Sequence, residues 1–227
     1  MKLFDCNNCA FKKFSCQYVD PEEFELIRRT SLRILFRKGE TIIKQGSRAT
    51  HLAFLHKGIV KFNYENELGK NLILEIVSGP KLLGGTNLFF KETNLFSLVA
   101  VEQSEVCLID AKALKRILLN NAKYSMLLFE RSVELFKDSL FNYISLANKQ
   151  VHGRIADILI YLWEQIYNNS DYEFTIMRRE IAEFAACSPE NVITTLSKLR
   201  KEGIINLTRK AIIIKDFDKL RAISKNG

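Results

Sequence analysis

The sequence is short of the residues that break or loosen a fold. Three prolines and ten glycines among 227 residues exclude a proline-rich or low-complexity chain. No apolar run approaches the roughly 20 residues of a membrane-spanning helix; the longest lies near Leu95 to Val101 and is interrupted by Ser97. The opening Met1-Lys2-Leu3-Phe4-Asp5-Cys6 has no apolar core of a secretion signal, so a cytoplasmic location is expected. No self-similar period of about 20–50 residues is present, which excludes solenoids and propellers. Histidine is scarce. His51, His56 and His152 are too scattered for a zinc-binding pair and read as surface or turn residues. Five cysteines are an odd number; in a reducing compartment they read as thiols or metal ligands, not as a disulfide framework.

Apolar residues make up 47% of the chain and charged residues 26%, as in an ordinary globular protein. The net charge is +8, of which +6 lies after residue 110. A basic C-terminal half suits a polyanionic partner. An enzyme is not expected. Gly79 to Thr86 has the glycines of a phosphate-binding loop but places Gly85 where the lysine must stand. No nucleophile lies beside a base at a defensible spacing.

Asp20-Pro21-Glu22-Glu23 predicts a helix start, with Asp20 as N-cap, Pro21 in the first turn and Glu23 closing a capping box. From residue 32 to 110 short β-rich runs alternate with Gly39, Gly46, Gly58, Gly69, Gly79 and Gly84-Gly85. Strands are predicted at 41–44, 52–56, 59–64, 71–77, 95–101 and 105–109, and this spacing indicates an antiparallel sandwich or roll. Asp110 caps a helix over 111–119, and Asn120-Asn121 mark a break. Residues 122–149 hold no glycine or proline. Met126, Val133, Leu140 and Ala147 fall seven apart, as do Phe129, Phe136 and Tyr143, three residues later. This is the a/d seam of a self-associating helix, which predicts a homodimer. Leu128, Leu135 and Ile144 fall off that seam and are expected to pack on the sheet.

A further amphipathic helix is predicted over 151–168, with Ile155, Ile158, Leu159 and Leu162 on its buried stripe. A short strand follows at 172–176. Two helices over 178–186 and 189–202 are separated by Cys187-Ser188, which is helix-turn-helix spacing. Ser188 is the N-cap of the second, Pro189 sits in its first turn and Gly203 just past its end. Ile181, Val192, Leu196 and Leu199 are expected to lock the pair together, with Cys187 in the core of the turn. The runs 204–207 and 211–215 around Thr208-Arg209-Lys210 read as a two-stranded wing. Such a second helix enters the major groove of double-stranded DNA by its N-terminal residues. There Glu190 would accept from cytosine N4, Thr194 hydrogen-bond a base and Ile193 touch a thymine methyl, with Asn191 and Ser188 beside them. Arg178, Arg179, Lys198, Arg209 and Lys210 are placed to neutralise phosphates.

These residues resemble the cyclic-AMP receptor protein / fumarate-and-nitrate-reduction regulator (CRP/FNR) superfamily over nearly the whole chain. Residues 39–46 (GETIIKQG) are similar to its first β-roll hairpin, 52–61 (LAFLHKGIVK) to the next strands and 151–156 (VHGRIA) to the helix after the dimer helix. Arg179-Glu180-Ile181-Ala182 through Ser188-Pro189-Glu190-Asn191-Val192 resemble its helix-turn-helix, with Glu190 at the base-reading glutamate. The resemblance implies an α+β fold. Residues 1–19 would be a cysteine-containing segment, 20–121 a sensor β-roll of cyclic-nucleotide-binding type, 122–150 a dimerisation helix and 151–227 a winged helix-turn-helix. It implies a homodimeric transcription regulator that binds an inverted-repeat operator and meets RNA polymerase. Two departures stand out. In the nucleotide-binding members a glutamate follows the cassette glycine and an arginine comes further along. Here Gly85 follows Gly84 and residues 93–97 hold no arginine, so cyclic nucleotide binding is not expected. Many members also have arginine where this chain has Thr194.

Cys6, Cys9 and Cys16, with Cys107 later, resemble the ligand set of the oxygen-sensing FNR-like branch. Six residues separate Cys9 from Cys16, one more than in that branch's prototype. The resemblance implies a [4Fe–4S] cluster and oxygen or redox sensing. Zinc also accepts four thiolates, and simple thiols are a further alternative. So are a haem, nitric-oxide or small-molecule sensor on the same scaffold, and a β-roll interaction module without DNA binding.

Overall fold

The computed structural model describes residues 9–15, 18–84, 93–167, 175–208 and 211–227. The chain forms two compact units, residues 1–62 with 78–137 and residues 63–77 with 138–227.

In the first unit, a short helix α1 (Ala10–Ser15) precedes α2 (Pro21–Thr30). The expected capping box starts α2. The Glu23 amide donates to Asp20 Oδ1 at 2.8 Å, and Glu23 Oε2 accepts from the Asp20 amide at 3.2 Å. Among the described residues eight strands follow, of which β5 up to Val77 and the end of β4 fall in the second unit: β1 (Leu32–Phe36), β2 (Thr41–Ile43), β3 (His51–Lys57), β4 (Ile59–Glu65), β5 (Asn71–Ser78), β6 (Lys81–Leu83), β7 (Ser97–Ala100) and β8 (Ser104–Asp110). They form two four-stranded sheets, ordered β1-β8-β3-β6 and β2-β7-β4-β5. The described β1–β8, β3–β8, β3–β6 and β2–β7 pairs are antiparallel. This is the predicted roll, with two strands more than were read. β1 is an edge strand with Leu32, Ile34 and Leu35 exposed, so it lacks the alternation that marks a half-buried strand. β6 has only three residues. Gly58 is at φ +100°, and a Cβ there would collide with Ser104, so the β3–β4 turn admits only glycine.

Helix α3 (Ala111–Asn120) is capped by Asp110, whose Oδ1 accepts from the Ala113 amide at 2.7 Å. The expected break is a second cap. Asn121 Oδ1 accepts from the Tyr124 amide at 3.1 Å, while its Nδ2 donates to the Tyr18 carbonyl at 2.6 Å. Asn121 therefore starts α4 (Ala122–Asn148) and ties it to the segment before α2. The core of this unit joins Phe11, Phe24, Ile27, Phe54, Ile109, Leu114 and Tyr124, with Leu127 and Leu128 of α4 packed on it.

In the second unit, α5 (Val151–Tyr161) passes into a π-helical turn, Leu162–Ile166, where a plain helix to residue 168 was predicted. The predicted strand over 172–176 lies mostly outside the described residues, and Thr175 and Ile176 are not in a strand. Then come α6 (Arg178–Phe184), α7 (Pro189–Lys201), the hairpin β9 (Ile205–Leu207) and β10 (Ile212–Ile214), and α8 (Phe217–Asn226). Helix α8 was not anticipated. Asp216 caps it, accepting from the Lys219 amide at 3.0 Å, and that contact holds its carboxyl below the usual range.

Asp157 on α5 gathers three partners: the hydroxyl of Ser145 near the end of α4, the Lys149 ammonium at 2.8 Å and the Ser224 hydroxyl of α8 at 2.5 Å. A half-buried carboxylate with charge-assisted bonds is the sort of group whose loss is felt. Asp157→Ala is expected to destabilise the C-terminal unit by about 1–3 kcal/mol, read as an earlier melting transition. Asp157→Asn should lose less, because it keeps an acceptor. Equal melting of the wild type and the alanine variant would show that the three bonds contribute nothing net.

Candidate nucleic-acid interface

Helices α6 and α7 meet through the residues expected of them. Ile181, Val192, Leu196 and Leu199 are all buried, together with Phe184 and Ala185. Glu180 closes α6 from below, its Oε2 accepting from the Met177 amide at 2.8 Å. The turn between them runs through Ala186, which lies at φ +47° without being glycine. The Cys187 amide then donates to the Ala182 carbonyl at 3.0 Å. Cys187 is half-buried rather than part of a closed core, because the tight turn brings it to the rim of the helix pair. Burial still pushes its thiol pKa up.

Ser188 caps α7, accepting from the Asn191 amide at 3.3 Å. With Pro189 in the first turn, the helix start is fixed as predicted. Ser188, Glu190, Asn191, Ile193, Thr194 and Lys198 are all exposed. The Ser188 hydroxyl and the residue's own backbone amide hold the Glu190 carboxyl below its usual pKa, so it stays an anionic acceptor. Arg178 and Arg179 are exposed at the start of α6, and Arg179 Nε pairs with Glu183 at 3.0 Å. Lys198, Arg200 and Lys201 form the basic last turn of α7. The wing is present as β9–β10, and Thr208 and Ala211 clasp its tip with bonds of 2.9 and 2.8 Å. Arg209 and Lys210 lie outside the described residues.

Among the described residues nothing covers the seam on α4. Met126, Phe129, Val133, Phe136, Leu140 and Tyr143 are each at least 44% exposed, and Ala147 is exposed too. Ile144 was expected on the sheet but is 44% exposed. At 100° per residue it lies about 40° from Leu140 and so belongs to the seam's flank. Leu128 does pack on the core and Leu135 is half-buried. The small residues on the seam's other flank are engaged in-chain. Ser125 donates to the Leu118 carbonyl at 2.6 Å and Ser139 to Glu75 Oε2 at 3.0 Å.

Two of the four candidate metal ligands are described. Cys9 and Cys107 are both partly buried and pack against the same core cluster. On β8, Cys107 faces Arg33 of β1 on one side and Phe54 of β3 on the other. The Phe54 ring in turn meets Phe11 and Phe14 of α1 at 5.0 and 5.9 Å. Cys9 begins α1, its Sγ accepting from the Lys12 amide at 3.3 Å. Helix α1 thus lies over the strand pair that carries Cys107. Cys6 and Cys16 lie outside the described residues, and among the described residues no group of three or more potential ligands gathers at metal-binding distance. His56 corrects the sequence reading. It is buried on β3 against the Phe54 ring at 4.8 Å, and burial lowers its pKa to about 4. A neutral imidazole fits there because β3 is covered on both faces. No helix among the described residues is long and apolar enough to cross a membrane.

Comparison with known proteins matches two family models, a cyclic nucleotide-binding domain over residues 33–121 and a Crp-like helix-turn-helix domain over 153–223. A probable transcriptional activator of Rhizobium leguminosarum is 23% identical over 221 residues, covering 95% of this chain and 91% of that protein. The cAMP-activated global transcriptional regulator CRP of Haemophilus influenzae is 25% identical over 178 residues, covering 77% of this chain and 80% of its own length. Among solved structures, FixK2 of Bradyrhizobium japonicum has a TM-score of 0.76 at 16% identity, over 85% of this chain and 96% of that one. A putative transcriptional regulator of Eubacterium rectale has a TM-score of 0.78 at 18% identity, over 93% and 97%. These likenesses share the α+β fold described above.

Proposed function

The chain belongs to the CRP/FNR family of DNA-binding transcription regulators, and from that premise we propose that it is an oxygen- or redox-responsive member acting as a symmetric dimer. The dimer would read an inverted repeat with half-sites about one helical turn apart and meet RNA polymerase at the promoters it controls. The exposed face of α7 supports the first part, because its outward residues carry the groups that recognise base edges. Selection from random DNA is expected to return an inverted repeat. Glu190→Ala should lose roughly 1–3 kcal/mol of discrimination at one position of each half-site. Arg209→Ala or Lys210→Ala should weaken all sequences alike and flatten the salt dependence. A selection that returns no palindrome would count against the dimeric reader.

The placement of Cys9 and Cys107 on one core cluster supports the redox part. Thiol donors on a strand and on a helix laid across it fit a group that binds four thiolates. Cys6, Cys9, Cys16 and Cys107 would hold a [4Fe–4S] cluster, which when bound supplies an oxygen-sensitive crosslink. The residues would do the rest. Cys9 and Cys107 would fix α1 against Phe54, and the same core reaches Tyr124, Leu127 and Leu128 at the root of α4. A change in how α1 is held would thereby bear on the dimer helix. Cys107 is not joined directly to that helix, since α3 stands between them. The curated CRP relatives are described as cAMP-activated. In this chain Gly85 and the arginine-free run 93–97 argue for a different signal. Operator affinity measured on anaerobically and aerobically prepared protein tests this part, and equal affinity in both would remove its support.

A further inference from the structure

Helix α5 precedes the helix-turn-helix, and only Lys149 and Gln150 join it to α4. So short a joint does not by itself set the angle between two helices. Side chains hold α5 at two points. In its middle, Asp157 takes the Lys149 ammonium at 2.8 Å and the hydroxyl of Ser145, both at the end of α4, and the Ser224 hydroxyl of α8 at 2.5 Å. At its last residue, Tyr161 Oη donates to the Ile76 carbonyl of β5 at 2.6 Å. Strand β5 is the edge of its sheet, and α4 holds the same strand. Ser139 donates to Glu75 Oε2 at 3.0 Å, and Asn142 Nδ2 donates to the Leu74 carbonyl at 3.4 Å. The carbonyls of Leu74 and Ile76, two residues apart, point to one edge. An open edge needs covering, and α4 and α5 cover this one together. Helix α5 is therefore tied to α4 twice, directly through Asp157 and by way of β5 through Tyr161. The Tyr161 ring reaches on to Phe184 of α6 at 5.9 Å, and Phe184 is buried in the helix pair.

We infer that Asp157 and Tyr161 are positioning residues that determine which half-site spacing the regulator accepts. The inference rests on the dimeric reading of an inverted repeat. In such a dimer the seam on α4 sets the axis, α7 meets the DNA, and α5 is the arm between them. One base pair added to the spacer or taken from it moves a half-site by about 3.4 Å and turns it by roughly 35°. An arm held at two points cannot follow, so the second half-site is lost. An arm released at either point swings on its two-residue joint and follows. The two residues act through the orientation of α5, not by contact with a base.

The test uses the full chain and operators built on the selected inverted repeat. The spacer is kept at its selected length or made one base pair longer or shorter, and a DNA with a single half-site is measured beside them. The wild type is expected to lose roughly 10²-fold when the spacer changes, the lower end of what a second linked half-site supplies. Tyr161→Phe removes one hydroxyl and keeps the ring on Phe184. It should narrow that ratio to about tenfold, as the loss of one hydrogen bond allows. Asp157→Ala, assayed below its melting transition, should narrow it at least as far, and Asp157→Asn less. All three should bind the single half-site as the wild type does, a result that damage to α7 would not give. Arg221→Ala breaks the 3.0 Å pair with Glu164 without touching α4 or β5, and should keep the full spacing preference. Tyr161→Phe and Asp157→Ala proteins that keep the wild-type ratio, or that lose single-site affinity by the same factor, would overturn the inference and leave the dimeric reader intact. So would an Arg221→Ala protein that narrows the ratio as far as Tyr161→Phe, or a wild type that binds all three spacers alike. A selection that returns no inverted repeat would overturn both the inference and the reading beneath it.

Discussion

Phe136→Glu is expected to sediment as a monomer and to lose about 10²–10⁴-fold in affinity for an inverted repeat, the factor carried by a second linked half-site. Phe136 is 67% exposed in the single chain and Phe129 64%. Aromatic side chains so placed would withdraw on the order of 100 Å² each on pairing, or about 2.5 kcal/mol apiece. A glutamate at Phe136 forfeits that gain twice, once per chain, and sets two carboxylates close to the two-fold axis. Burying unpaired charge costs several kcal/mol more. The pairing is expected to be parallel. A parallel seam carries both copies of α7 to the same end of the dimer, as an inverted repeat requires. It also sets the seam flank Glu130, Lys137 and Ile144 against Ser125, Ser132 and Ser139 of the other copy, with no like charges opposed. Phe136→Leu should remain a dimer and keep operator binding. Unchanged dimers for both Phe136→Glu and Leu140→Glu would remove the seam from the account.

The parts of the fold legible in the sequence are those decided within a few residues. Asp20, Asp110 and Ser188 cap their helices as local chemistry requires, and the heptad spacing on α4 identified the face that the chain leaves exposed. The parts that were not legible depend on residues far apart in sequence. Leu32 to Phe36 become a strand only because β8 lies beside them, pairing Arg33 with Cys107. His56 looks like a turn residue beside Gly58, yet it is buried because both faces of β3 are covered. Ile144 was set off the seam by counting in sevens. A helix of 3.6 residues per turn brings it back to the seam's flank. In the recognition surface, the identity of the exposed residues followed from period and capping. The register that brings Phe54 beside Cys107, and α1 across both, needed the sheet itself.

Cys107→Ala is expected to abolish cluster binding altogether. Anaerobically purified wild-type protein should be brown and hold about four irons per chain, as the stoichiometry of a four-cysteine cluster requires. Cys107 sits inside the sheet, bracketed by Arg33 and Phe54 on the neighbouring strands, so its position is fixed by backbone pairing. No cysteine elsewhere on β8 can replace it, because the other four are Cys6, Cys9, Cys16 and Cys187. The additional residue between Cys9 and Cys16 lengthens the reach of that segment by at most about 3.5 Å, and a slightly longer loop adds little closure entropy. The spacing is therefore no obstacle. Cys187→Ala is the matched control: it removes a thiol from the helix-turn-helix turn and should keep both colour and iron. Ligation also releases thiol protons, so iron uptake during reconstitution should weaken as the pH falls. A colourless protein with one bound zinc would replace the cluster by a structural metal on the same thiolates. A colourless protein that takes up neither metal would end the redox reading and leave a DNA-binding regulator whose signal enters elsewhere. If Cys107→Ala kept its four irons, the fourth ligand would have to be sought outside β8, and the link from sensor to dimer helix through Phe54 and Tyr124 would fall with it.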